Sequence, residues 1–241
     1  MLFLLLACLS AAPPAVDAAP NLSDVPAVVD VPAVVDVPAV VDVPAAPVPP
    51  PAFVGAHGPI PEAMRALMRG VTWREGCPVS LDDLALVTVS VHTLGGAVQT
   101  GQVVVAAAHA DGVVGVFRQL FDADFAFTKV APAHVYGGDD NALMAGDVTS
   151  AFNCRKKTGG SSYSEHSYGH AIDINPLRNP YVKGTRVLPP EGARFADRTL
   201  GEPGMIVADG VVEQAFRDIG WRWGGRWRSL KDYQHFSATG R

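Results

Sequence analysis

Ser164-Glu165-His166-Ser167-Tyr168-Gly169-His170-Ala171-Ile172-Asp173 sets two histidines and two carboxylates around a glycine and runs into an alternating apolar segment. Gly169 permits a bend, and Ala171-Ile172-Asp173-Ile174 alternates as strand residues do, so this segment predicts a loop entering a strand. On such a strand Ala171 and Asp173 share one face and His170 points to the other. That separates His170 from Asp173 and leaves His166 as the histidine able to meet it. A catalytic zinc takes three His or carboxylate donors and keeps a fourth position for water. Asp232-Tyr-Gln-His235, far along the chain, supplies the missing donor, so His166, Asp173 and His235 are the expected zinc ligands. Asp232 stands three residues before His235, a spacing that suits a general base beside the metal better than a fourth ligand.

Taken alone, a His-to-Asp spacing is weak grounds for a metal, because lone histidines and aspartates are mostly satisfied polar groups. The surrounding sequence strengthens it. Ser164-x-His166-x-x-Gly169-x-Ala171-x-Asp173 is followed by Trp221-Arg-Trp-Gly-Gly-Arg-Trp227 and then by Asp232-x-x-His235-Phe236. Together with Gly76-Cys-Pro-Val79, Phe117-Arg-Gln-Leu120 and Ser150-Ala-Phe-Asn-Cys-Arg155, these motifs make the chain from about Gly70 to Phe236 resemble the zinc D-alanyl-D-alanine carboxypeptidase and L-alanyl-D-glutamate endopeptidase family, VanY-type enzymes with the Hedgehog/DD-peptidase fold.

The resemblance implies one catalytic zinc on His166, Asp173 and His235, and Asp232 as the base. It also implies that Arg155, on a strand before the metal motif, holds a substrate carboxylate or the developing oxyanion. The substrate implied is the peptidoglycan stem peptide, and the motif does not choose the scissile bond. The fold expected is α+β, a small antiparallel sheet carrying the zinc ligands with helices packed on its other face. Ser164 is expected either to touch substrate or to buttress His166. Two rival readings are a non-catalytic, zinc-stabilised wall-binding module and a zinc N-acetylmuramoyl-L-alanine amidase. Asp232 argues against the first, since a purely structural zinc has no use for a base.

Composition agrees with an exported enzyme of this kind. The 241 residues carry a net charge of −5 and are 48% hydrophobic, ample for a core and without the basic face of a nucleic-acid binder. No apolar run reaches the length of a membrane-spanning helix. Residues 1–19 resemble a secretory leader, with small-residue cleavage options after Ala12 or Ala18, although no Lys or Arg precedes the apolar run. Leu5-Leu-Ala-Cys8 also resembles a lipobox, which would make Cys8 a lipid anchor. Setting Cys8 aside leaves Cys77 and Cys154, read either as a disulfide or as two buried thiols. A monomer in the cell envelope or outside the cell is expected.

Residues 20–58 read as a linker. Asp24, Asp30, Asp36 and Asp42 mark a six-residue repeat of Asp-Val-Pro-Ala-Val-Val, and proline at that density favours an extended, polyproline-like spacer. A zinc peptidase domain is expected over 59–241. Within it the sequence predicts a helix over 61–70 with Met64, Leu67 and Met68 on one face, strands over 86–94 and 101–106, a helix over 110–121, a further strand from Phe125 toward Tyr136, and a helix over 209–219 with Val211, Val212, Ala215, Phe216 and Ile219 inward. Asp139, Asp140 and Asp147 lack the spacing of a calcium loop and read as a solvated acidic loop. His57, His92, His109 and His134 read as surface or core residues. The segment 175–190 reads as a proline-rich loop without regular structure, a candidate cleft wall with Tyr181 as its substrate-contacting aromatic. Of Trp221, Trp223 and Trp227, at least two are expected to scaffold the catalytic turn.

Overall fold

The structure is a computed structural model that describes residues 51–157 and 160–241. The expected leader, Cys8 and the repeat marked by Asp24, Asp30, Asp36 and Asp42 therefore lie outside the described residues. The domain starts earlier than the boundary expected at 59. β1 (Gly55–Pro59) is already a strand, antiparallel to β2 (Leu84–Thr93). β2 pairs on its other side with β3 (Val98–Ala106), and β4 (Ala126–Phe127) adds in parallel at the end of β2 to complete a four-stranded sheet.

This sheet forms because β2 and β3 carry Val87, Val89, Val91, Val103 and Val105, β-branched residues that suit a half-buried pleat and are all buried here. Against it lies α2 (Ala110–Asp122), whose Val113, Val116, Phe117 and Leu120 recur at the spacing of a single helix face and are all fully buried. α1 (Glu62–Met68) forms as expected, but only part of its predicted face packs. Met68 is buried, Met64 is half-buried, and Leu67 is exposed.

The strand predicted from Phe125 to Tyr136 is broken up. After β4 come β5 (Lys129–Val130), a 3₁₀ turn over Ala133–Tyr136, and α3 (Asp140–Ala145). Pro132, lacking an N–H, sits where the ladder ends. β6 (Val148–Thr149) then pairs in parallel with β5. The acidic residues around α3 are not a solvated loop. Asp139 caps α3 by accepting from the N–H groups of Asn141 and Ala142. Asp147 is buried and accepts from the backbone of Leu177 and Arg178.

The second half of the chain builds two small sheets. In order come β7 (Ala171–Asp173), β8 (Tyr181–Lys183), β9 (Arg186–Leu188), α4 (Val211–Asp218), β10 (Arg222–Trp223), β11 (Lys231–Asp232) and β12 (His235–Ser237). One antiparallel sheet has the order β10-β12-β7 and the other β11-β8-β9. The β8–β9 hairpin corrects the expectation of an irregular loop over 175–190. Tyr181-Val182 and Val187-Leu188 flank the turn at Gly184-Thr185, and this short β-prone pattern outweighs the prolines around it.

α4 buries Val212, Ala215 and Phe216, while Val211, expected inward, is exposed. Phe216 stacks on Phe236 of β12 at 4.1 Å, so the helix is seated on the β10-β12-β7 sheet. Ile172, Phe236 and Trp223 of that sheet share one apolar core with α2, α4 and the four-stranded sheet. The architecture is α+β, as expected, with the small sheet held from behind by the main core.

Candidate metal centre and cleft

The two strands that carry Asp173 and His235 are direct neighbours, and these residues are register partners. Partners in an antiparallel pair share a face, so the carboxylate and the imidazole meet with Asp173 Oδ1 3.0 Å from His235 Nδ1. His166 arrives from a different element, a 3₁₀ turn over Glu165–Tyr168. Ser164 caps that turn by accepting from the His166 N–H. The turn ends at Gly169, whose φ of 68° is left-handed and whose missing side chain would collide with the Ala106 backbone nitrogen at 2.3 Å. The glycine therefore does two things at once. It reverses the chain and lets the His166 turn dock on β3.

His166 Nε2 lies 3.2 Å from Asp173 Oδ2 and 3.2 Å from His235 Nδ1. The outer nitrogens are held by backbone carbonyls. His166 Nδ1 donates to Ala151 O at 2.6 Å, and His235 Nε2 donates to Arg241 O at 3.1 Å. In neutral imidazoles those outer bonds use the only ring protons, which leaves both inner nitrogens as bare acceptors facing a carboxylate. Three acceptors turned on one another need a cation between them. One donor atom from each of His166, Asp173 and His235 falls within 4.8 Å of the others, a His₂-carboxylate set that fits zinc with an open position.

Electrostatics point the same way. Burial pushes Asp173 up, but the imidazoles of His166 and His235 outweigh it and hold the carboxyl far below the usual range. Burial pushes His235 down, and the hydrogen bond and charge of Asp173 more than reverse it, so its affinity for a proton is raised. Both shifts mark a centre that attracts positive charge.

Asp232 is the last residue of β11, three residues before His235 at the start of β12. Gly224 lets it come close, because a side chain there would meet Asp232 O at 2.7 Å. Asp232 Oδ1 is buried, and among the described residues nothing donates to it. Its pKa is raised to about 6, first by burial and then by the nearby Asp173 charge, against the opposing pull of His235. A carboxylate of that basicity beside the cluster, with Gln234 the only side chain among the described residues that pulls its pKa down by hydrogen bonding and with Oδ1 left open, has the properties of a general base working near neutrality.

These groups line a cleft of about 670 Å³ that also receives Ser164, Tyr181 and Arg155. Arg155 is not on a strand, as the resemblance implied. It lies in an extended segment pinned by Phe152 N–H to Val104 O, Asn153 N–H to His166 O and Arg155 N–H to Ser167 Oγ. Cys154, next to it, is bonded to Cys77 in a disulfide. The Arg155 Nε edge is ion-paired with Asp140, and Asn153 Nδ2 donates to the same carboxylate at 3.0 Å. Sequence reading missed Asp140 as an orienting group. The signal was present in Asp139, a capping residue that starts a helix and so fixes where Asp140 points.

Tyr181 lines the cleft as expected, in the hairpin rather than in a loop. Trp221 and Trp223 are core residues, whereas the Trp227 ring lies 5.6 Å from the His235 ring and forms part of the cleft wall. His170 packs with His109 and Tyr168, apart from the metal cluster. His57 and His92 pair with the exposed carboxylates of Asp111 and Asp124.

Among the described residues no helix is long and apolar enough to cross a membrane. A family model described as D-alanyl-D-alanine carboxypeptidase matches residues 158–238, the part of the chain that holds His166, Asp173, Asp232 and His235. The match supports the VanY-type resemblance and, at the level of the family, a peptidase acting on peptidoglycan in the cell envelope or extracellular space. No curated protein and no solved structure matches the chain.

Proposed function

We propose that the chain is a zinc-dependent peptidase that hydrolyses a peptide bond of the peptidoglycan stem peptide, of the D-alanyl-D-alanine carboxypeptidase or L-alanyl-D-glutamate endopeptidase type. The observation that carries this reading is the convergence of three acceptor atoms, from His166, Asp173 and His235, beside the buried carboxylate of Asp232 with its open Oδ1. Zinc bound there would supply Lewis acidity toward the scissile carbonyl and acidify the attacking water.

The chain's own residues do the rest. Asp232 Oδ1 takes a proton from the attacking water and returns it to the leaving amine. Ala151 O and Arg241 O keep the two imidazoles in the tautomers that face inward. Arg155, with its Nε edge occupied by Asp140 and Nη1 donating to Lys156 O, offers Nη2 to a substrate carboxylate or to the oxygen that gains charge. Ser164 acts through His166 by capping its turn. The cleft face of β8–β9, with Tyr181, receives the peptide.

Digesting purified peptidoglycan with zinc-loaded protein and identifying the new termini by mass spectrometry tests the proposal. Free D-alanine or a new D-glutamate amine supports it and names the bond. Released lactyl-peptide would assign an amidase instead, and an unchanged digest would leave a binding module.

A further inference from the structure

The β8–β9 hairpin turns one face to the cleft. Tyr181 and Lys183 on β8, with their register partners Leu188 and Arg186 on β9, all line it, and the intervening Val182 and Val187 do not. Lys183 and Arg186 thus stand directly opposite each other on the same side of a two-stranded ribbon. Like charges at such a pair are destabilising. Among the described residues no carboxylate forms an ion pair with either of them, although the chain as a whole carries a net charge of −5. An unrelieved cation pair facing into a cleft is a site prepared for an anion.

Its distance from the chemistry follows from the strand register. Asp232 on β11 is the register partner of Tyr181, so base, tyrosine and cation pair run in series across one sheet face. Lys183 is two residues beyond Tyr181, roughly 7 Å along the strand at ~3.3 Å per residue. An extended peptide covers the same span in about two residues.

Resting on the peptidase reading above, we infer that Lys183 and Arg186 form an anion subsite that selects peptides bearing a free carboxylate about two residues from the scissile bond. It is distinct from Arg155, which is ion-paired with Asp140 and lies outside the hairpin. A carboxylate held by two such donors accepts charge-assisted hydrogen bonds, and losing one costs at least about tenfold in affinity.

The test uses fluorescently labelled alanine pentapeptides, in L and D forms, in which a single Glu is moved through the positions and compared with Gln. Binding is measured by anisotropy on metal-free protein, and kcat/KM on zinc-loaded protein. The expected result is one position at which Glu binds at least about tenfold tighter than Gln. That preference should fall below about twofold in Lys183→Gln/Arg186→Gln and shrink as salt is raised. No Glu preference at any position, or a preference that survives the double substitution, overturns the subsite. The melting temperature of the double variant should not fall, since both side chains are exposed and the substitution removes a repulsion. If it does fall, each single variant gives the same reading. If zinc-loaded protein leaves purified peptidoglycan uncut and yet the Glu preference depends on Lys183 and Arg186, the subsite stands and the peptidase reading fails. Cleavage without the preference removes the subsite and leaves the peptidase reading standing.

Discussion

Asp173 and His235, far apart in sequence, are register partners in adjacent antiparallel strands, with Oδ1 and Nδ1 3.0 Å apart. Backbone pairing therefore brings the two donors together before any metal arrives. His166 is the donor that closes the set, and its position depends on a single short turn.

His166→Ala should accordingly weaken zinc binding by orders of magnitude and leave the strand pairing intact. In calorimetric titration the wild-type protein is expected to bind one zinc and the variant to show no tight site. Zinc should also raise the melting temperature of the wild type, because a ligand bound only by the folded state stabilises it by mass action. The variant should show no such rise, and an equal rise in both would move the site elsewhere.

Asp232→Asn keeps the size and loses the base. Zinc stoichiometry and the far-ultraviolet spectrum should be unchanged while turnover drops by about a hundredfold or more, the scale of a lost general base. Full activity in this variant would remove Asp232 from the mechanism.

The same residue gives the metal-free protein a pH signature. The Asp232 pKa is raised to about 6 from a usual 3.8, by burial first and by Asp173 second. A raised folded-state pKa means that the stabilising contribution is complete below about pH 4 and is lost as pH rises through about 6. Thermal melts should show wild-type protein losing stability relative to Asp232→Asn across that window. A difference between the two that does not vary with pH would contradict a carboxylate whose burial raises its pKa.

The disulfide ties Cys77 to Cys154 across a sequence separation of 77. Closing a loop of that size contributes on the order of 4 kcal/mol in the chain-entropy model. Cys77→Ala/Cys154→Ala should lower the unfolding free energy by an amount of that order in denaturant melts. Because Arg155 follows Cys154 directly, KM should rise more than kcat falls.

The cluster of His166, Asp173 and His235 was legible because its chemistry is concentrated in short segments. Strand alternation alone separated His170 from Asp173, and the structure puts His170 with His109 instead. The long valine-rich strands and the two amphipathic helices were legible for the same local reason. What escaped was set by tertiary context. Leu67 and Val211 are apolar residues at helix positions whose face is decided by neighbours far away in sequence, and both are exposed. Asp140 and Asp147 looked solvated because their partners, Arg155, Leu177 and Arg178, come from later segments. The β8–β9 hairpin carried a readable signal in Gly184-Thr185 between β-prone pairs, masked by the surrounding prolines.

The two small sheets divide the work between them. Asp173 and His235 belong to one, whereas Asp232, Tyr181, Lys183 and Arg186 belong to the other, and only Tyr233 and Gln234 separate the base from the late ligand. Side chains at the tip of the hairpin can therefore be exchanged without disturbing a single coordinating atom. Under the proposed function, the hairpin tip that would choose the peptide can vary while the strands bearing Asp173 and His235 stay fixed, with Tyr233-Gln234 as the joint between the two sheets.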